Sequence, residues 1–241
     1  MDMKRSLINA GFAVALLAAF GCSSKDATVE SASASNLNSA VLEEAEGLVY
    51  NQQYPQAIKL LNNYIDSNGN SAYALTLRSI CYSKVNKPYF AMTDAIEATR
   101  INYSPETLVN VGNIERMFGH CERASDAYRQ ALVLAPGDYQ IYANLASAYL
   151  CYGALDLAKG ALDNANQLNP NDNIVLTNQA IYYVMSKDLD AARTSIDKAI
   201  ALNPGYAPAY KVLENICGEK GDNSCVSDAK TQYNLARRPK K

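Results

Sequence analysis

The sequence predicts an all-α superhelical solenoid of about six stacked helical hairpins. Three observations carry this. Leu134-Ala135-Pro136 returns as Leu168-Asn169-Pro170 and as Leu202-Asn203-Pro204, each time 34 residues on. A small-large-small set precedes each: Ala124, Tyr128 and Ala131, then Ala158, Leu162 and Ala165, then Ala192, Ile196 and Ala199. Upstream, Leu108, Tyr142 and Leu176 keep the same step, as do Gly112, Ala146 and Ala180. Small residues let two antiparallel helices approach closely. A Pro cannot continue the helix before it and so closes each unit. One hairpin cannot bury its own apolar stripe, so the units must stack into a continuous core.

The chain begins with an address. Lys4 and Arg5 precede an apolar run from Leu7 to Phe20, too short for a comfortable bilayer span and suited to a signal peptide. The run ends in Ala18-Ala19-Phe20-Gly21-Cys22, followed by Ser23-Ser24. Small residues before a Cys at this place resemble the bacterial lipobox. That resemblance implies cleavage of residues 1–21 and acylation of Cys22, palmitate-type chains included. Several chains anchor stably where one does not. Ser23 resembles lipoproteins sorted to the outer membrane, which implies a protein on its inner leaflet facing the periplasm. Residues 22–37 are rich in Ser, Ala and Asn and read as a flexible tether.

Residues 38–241 divide into units near 38–71, 72–104, 105–138, 139–172, 173–206 and 207–241. The unit at 72–104 is one residue short and lacks the Pro. In the last unit Ala229, Tyr233 and Ala236 fit only after a three-residue insertion near Gly221-Asp222-Asn223. The period and the Ala, aromatic, Ala and Pro spacing resemble the tetratricopeptide repeat. The resemblance implies a right-handed superhelix with a groove lined by the first helix of each hairpin. It also places Asn110, Asn144 and Asn178 at a groove-facing position, where carboxamides could pair with the backbone of an extended peptide. The alternative is that they brace neighbouring helices. Asn113 and Arg116 are peptide-binding candidates with them, and Met117 and Met185 lie nearby. The several Lys and Arg of a carboxylate clamp are missing.

Composition points away from an enzyme. The 241 residues carry 22 Lys+Arg and 24 Asp+Glu, a net charge of −2, which disfavours a polyanion-binding role. A single His removes most His-based catalysis and His-rich metal sites. No Gly-rich phosphate loop, HExxH or GxSxG motif occurs. No cofactor and no metal are expected. His120 and Cys121 are adjacent, and a turn explains both better than a catalytic dyad. In repeat register Cys121 and Cys151 reach the same edge of the stack, and Cys217 and Cys225 flank the last turn. Both pairs are disulfide candidates in an exported protein. Cys81 reads as a buried thiol. Arg237 to Lys241 form a short basic tail.

The expected function is that of a lipid-anchored scaffold binding a peptide segment of an envelope protein. Leu132 to Ala158 is similar to the repeat lipoproteins of tight-adherence pili. The whole resembles the type IV pilotins as well, which implies pilus or secretion-system assembly. The alternative is an adaptor for peptidoglycan-remodelling enzymes or envelope proteases.

Overall fold

A computed structural model describes the backbone of residues 25–237 and the side chains of residues 38–237. The signal peptide, Cys22 and residues 238–241 of the basic tail lie outside the described residues. The chain separates into two compact units, Met1–Ala40 and Val41–Lys241. Residues 25–40 of the first are helical. Ala27, Ala32 and Ala34 favour helix, and neither Gly nor Pro interrupts the stretch before Gly47.

Twelve helices are described, and no strands. They are α1 (Lys25–Tyr50), α2 (Tyr54–Asn68), α3 (Ala72–Lys84), α4 (Pro88–Ile101), α5 (Pro105–Met117) and α6 (Cys121–Leu134), followed by α7 (Tyr139–Cys151), α8 (Leu155–Leu168), α9 (Asn173–Met185), α10 (Leu189–Leu202), α11 (Ala207–Glu219) and α12 (Asn223–Ala236). Successive pairs form six hairpins, so the fold is the tetratricopeptide-repeat solenoid. Every turn within a hairpin has three residues. Connections between hairpins have four where they carry Pro136, Pro170 or Pro204, and three elsewhere. The residue missing from the unit at 72–104 is therefore lost from the connection, not from a helix.

The middle residue of each hairpin turn takes a positive φ. Gly119, Gly153 and Gly221 do so freely, whereas Gln52, Asn86 and Lys187 do so with a side chain. A left-handed residue with a Cβ costs roughly 1–2 kcal/mol, and Gly costs ~1 kcal/mol of unfolded-state entropy. Gln52→Gly is expected to stabilise the protein by about 0.5 kcal/mol. A higher urea midpoint at unchanged slope checks this.

The last hairpin corrects the expected insertion. α11 and α12 begin 34 residues after α9 and α10, with no added residues. Ala229 is buried where Ala127, Ala161 and Ser195 are buried in earlier hairpins. The small positions of α12 hold Val226 and Tyr233 and the large one Lys230, so its Ala pattern matches the consensus only when slid by one turn.

Inside four of the six hairpins one small and one large residue, 16 apart, share the core. The pairs are Ala45 with Leu61, Ala146 with Leu162, and Ala180 with Ile196, all fully buried or nearly so. In the third hairpin the pair is Gly112 with Tyr128, and the Tyr is wholly buried. A Cβ added at Gly112 would lie 2.5 Å from the Tyr128 ring, so the largest side chain has taken the smallest partner. In the second hairpin Ser79 faces Ala95.

Candidate functional site: the concave groove

The first helices of adjacent hairpins touch: α3 meets α5, α5 meets α7, α7 meets α9 and α9 meets α11. The second helices of adjacent hairpins do not. A stack that is tight on one side and open on the other curves, and its concave face belongs to the first helices. The open side leaves a crevice of about 720 Å³ between α8 and α10, floored by Leu176, Gln179 and Tyr183 of α9.

The three repeat-equivalent asparagines do not behave alike. Asn110 is 5% exposed, and its Nδ2 donates to Ser79 Oγ at 2.7 Å. Asn178 is 7% exposed, and its Nδ2 donates to the carbonyl of Ala143 at 2.9 Å. Both amides thus cross to the first helix of the preceding hairpin. This corrects their reading as groove ligands: the position points along the stack, where a buried carboxamide finds a partner. Asn144 is half-buried. Asn113 accepts a hydrogen bond from the Tyr128 hydroxyl at 2.8 Å and so anchors the phenol inside its own hairpin.

Arg116 is the exception to this self-satisfaction. It sits at the end of α5, half-buried, and its Nε is buried with no hydrogen-bond partner. Among the described residues it joins no ion pair, while the neighbouring Glu115 is taken by His120 Nδ1 at 2.7 Å. Burial pushes the Tyr128 phenol up, and the Arg116 guanidinium opposes that rise. Burial likewise pushes up Tyr206; Asp172 adds to the rise and Arg116 opposes it. A buried guanidinium nitrogen without an acceptor costs roughly 1–3 kcal/mol. Met117 and Met185, at the ends of α5 and α9, are exposed and supply adaptable apolar contact.

The cysteines have structural places. Cys121, first residue of α6, is bridged to Cys151, last residue of α7, with Cα atoms 6.0 Å apart. This clamps the third hairpin to the fourth. Cys217 of α11 is bridged to Cys225 of α12, with Cα atoms 5.7 Å apart. Cys81 is a free, fully buried thiol, and burial pushes it up to about 11. The sulfur beside His120 is thus in a disulfide, and the imidazole is paired with Glu115. Among the described residues no cluster of His, Cys, Asp or Glu could hold a metal ion.

One buried polar network was not expected. Arg78 of α3 meets Asp94 of α4 through two bonds, Nε to Oδ2 at 2.7 Å and Nη2 to Oδ1 at 2.8 Å. Its Nη1 donates to Asn62 of α2 at 2.8 Å. The Asp94 side chain is 8% exposed and that of Arg78 18%. The side-chain hydrogen bond to Asp94 raises the Arg78 pKa against the opposing effect of burial. The equivalent positions hold Leu145 with Ala161 and Leu213 with Ala229. Two opposite charges at paired positions that are apolar in the fourth and sixth hairpins were the legible signal.

No protein-family model matches the sequence, and neither does any curated protein. Solved structures do match. PilW, described as a widely conserved type IV pilus biogenesis factor, is 17% identical with a TM-score of 0.69, over 83% of this chain and 93% of its own. The pilF protein of Pseudomonas aeruginosa is 17% identical with a TM-score of 0.65, over 84% and 93%. A tetratricopeptide repeat protein from Parabacteroides merdae is 15% identical with a TM-score of 0.63, over 84% and 80%. At these identities the likeness establishes one thing about the chain, its tetratricopeptide-repeat fold.

Proposed function

We propose that this protein is a lipid-anchored, non-enzymatic scaffold of the bacterial envelope. Its concave groove would hold an extended segment of an envelope protein during pilus or secretion-system assembly, on the periplasmic side of the outer membrane. The observation that carries the reading is Arg116, a guanidinium held in the groove with a buried Nε left without an acceptor. A segment bearing an Asp or Glu would pair with the guanidinium, and Asn144 would offer its amide to the segment's backbone. Two further points support the reading. The fold is shared, at nearly full length, with PilW and the Pseudomonas aeruginosa pilF protein. Two disulfides suit an oxidising, exported setting.

Photo-cross-linking in cells tests the groove. A photoreactive residue at Asn144 is expected to capture one segment of one envelope protein, and the adduct should fade in an Arg116→Gln background. The same residue at Lys198, in the outer crevice, is expected to capture no such segment. Capture from Lys198 alone would move the binding face to the second helices.

The anchor is tested separately. Cys22→Ala is expected to release the protein from membranes or leave it as uncleaved precursor. No helix of the described residues is long and apolar enough to cross a membrane. A mature-sized, lipid-labelled band from Cys22→Ala would contradict the lipoprotein assignment.

A further inference from the structure

We propose that the Cys217–Cys225 disulfide is a thiol–disulfide exchange site that takes a dithiol as reductant and controls the docking of α12. Three observations place it apart from Cys121–Cys151. The first is a cation. Arg193 of α10, in the preceding hairpin, brings Nη1 to 3.6 Å from Cys225 Sγ and 4.0 Å from Cys217 Sγ. Its Nε is paired with the Asp197 carboxylate at 2.8 Å, which holds the guanidinium over the bridge. A guanidinium there stabilises a thiolate more than a neutral disulfide and so favours the reduced state. The second is access. Cys225 lies on the wall of an open cavity of about 320 Å³ with Arg193, Tyr210, Asp228 and Gln232. The third is weak packing. α12 buries one residue, Ala229, whereas α6 buries six and α8 and α10 four each. The bridge therefore carries much of the attachment of the last helix.

Both bridges join the first turn of one helix to the last turn of another, so helix dipoles do not separate them. The carboxylates near Cys225 oppose a thiolate: Asp222 accepts from the Cys225 N–H at 3.0 Å, and Asp228 lines the cavity. The guanidinium nitrogen directly on the sulfurs offsets them.

The exchange balances with one dithiol. Its thiolate attacks Cys225 Sγ, the S–S bond breaks, and the electron pair leaves on Cys217 Sγ, which takes a proton from water. The second thiol of the reductant then attacks its own mixed disulfide. Cys225 leaves as a thiolate beside Arg193, in the first turn of α12. The dithiol becomes a disulfide, its second thiol losing its proton to water, and the protein gains a Cys217 thiol and a Cys225 thiolate.

Equilibration of the full-length protein in graded dithiothreitol buffers, with thiol trapping and peptide mass spectrometry, reads both bridges in one sample. Cys217–Cys225 is expected to be reduced at a thiol/disulfide ratio at least tenfold below that needed for Cys121–Cys151, about 30 mV for a two-electron couple. Arg193→Gln should raise the required ratio for Cys217–Cys225 threefold or more, while Arg193→Lys keeps most of the wild-type value. Hydrogen exchange at residues 223–236 should rise on selective reduction, with residues 139–202 unchanged. Equal midpoints for the two bridges, or an Arg193→Gln midpoint equal to wild type, would overturn the proposal. So would unchanged exchange in α12 after reduction.

Discussion

Gly112→Ala is expected to destabilise the protein by about 2 kcal/mol, although Ala is the better helix former. The two effects have opposite signs and can be weighed. Ala gains ~1 kcal/mol of helix propensity over Gly. Against this, its Cβ meets three atoms of the Tyr128 ring at 2.5 to 2.9 Å. Tyr128 is wholly buried, and its hydroxyl is fixed on Asn113, so the ring has nowhere to withdraw. Overpacking of this kind costs roughly 3 kcal/mol at the upper end of the usual range. The other hairpins supply the remedy. Where Ala146 and Ala180 replace the Gly, Leu162 and Ile196 replace the Tyr. Gly112→Ala combined with Tyr128→Leu should therefore recover most of the loss, although Tyr128→Leu alone leaves a cavity and an unpaired Asn113. Urea unfolding of the two single variants and the double gives a coupling energy of about 2 kcal/mol or more. Additive losses would mean that the clash is relieved elsewhere.

Asp94→Ala is expected to cost about 3 kcal/mol, the largest single loss anticipated for the chain. The substitution removes both acceptors from a guanidinium whose side chain is only 18% exposed. The low end of the range for broken buried pairs is chosen because Arg78 keeps Asn62 and some access to water. Removing both charges has the opposite expectation. Arg78→Leu with Asp94→Ala reproduces the Leu145 and Ala161 arrangement of the fourth hairpin, and apolar replacement of a buried pair is often neutral or better. Calorimetry of the single and double variants decides between these outcomes. A double variant as unstable as Asp94→Ala would show that the ion pair specifies the packing of the second hairpin rather than merely occupying it.

These two sites show what the sequence carries and what it hides. The 34-residue spacing is clearest in the third, fourth and fifth hairpins because backbone geometry repeats, and Ala and Pro at fixed places enforce it there. It says nothing about which way an equivalent side chain turns. Asn110, Asn144 and Asn178 are equivalent by number, yet Asn110 and Asn178 bond to the preceding hairpin because Ser79 Oγ and the Ala143 carbonyl stand within reach. The consensus also misleads where it decays. In α12 the two small positions hold Val226 and Tyr233 and the large one Lys230, and the nearest Ala pattern suggests an insertion that the helix bounds exclude. Arg116 was visible as the strong charge of the groove. Its unpartnered Nε was not, since that depends on Glu115 turning to His120.

The central claim is that the concave groove reads an acidic, extended segment through Arg116. The direct measurement is a binding titration of the segment captured at Asn144, made as a synthetic peptide, in a two-by-two cycle. One axis is Arg116→Gln in the protein; the other replaces the peptide's acidic side chain by its amide. A charged hydrogen-bonded contact is worth roughly 1.5–3 kcal/mol. Each single change should thus weaken binding by about tenfold or more, and the double change should weaken it little further. Full-strength binding by folded Arg116→Gln, or losses that multiply independently, would contradict the account.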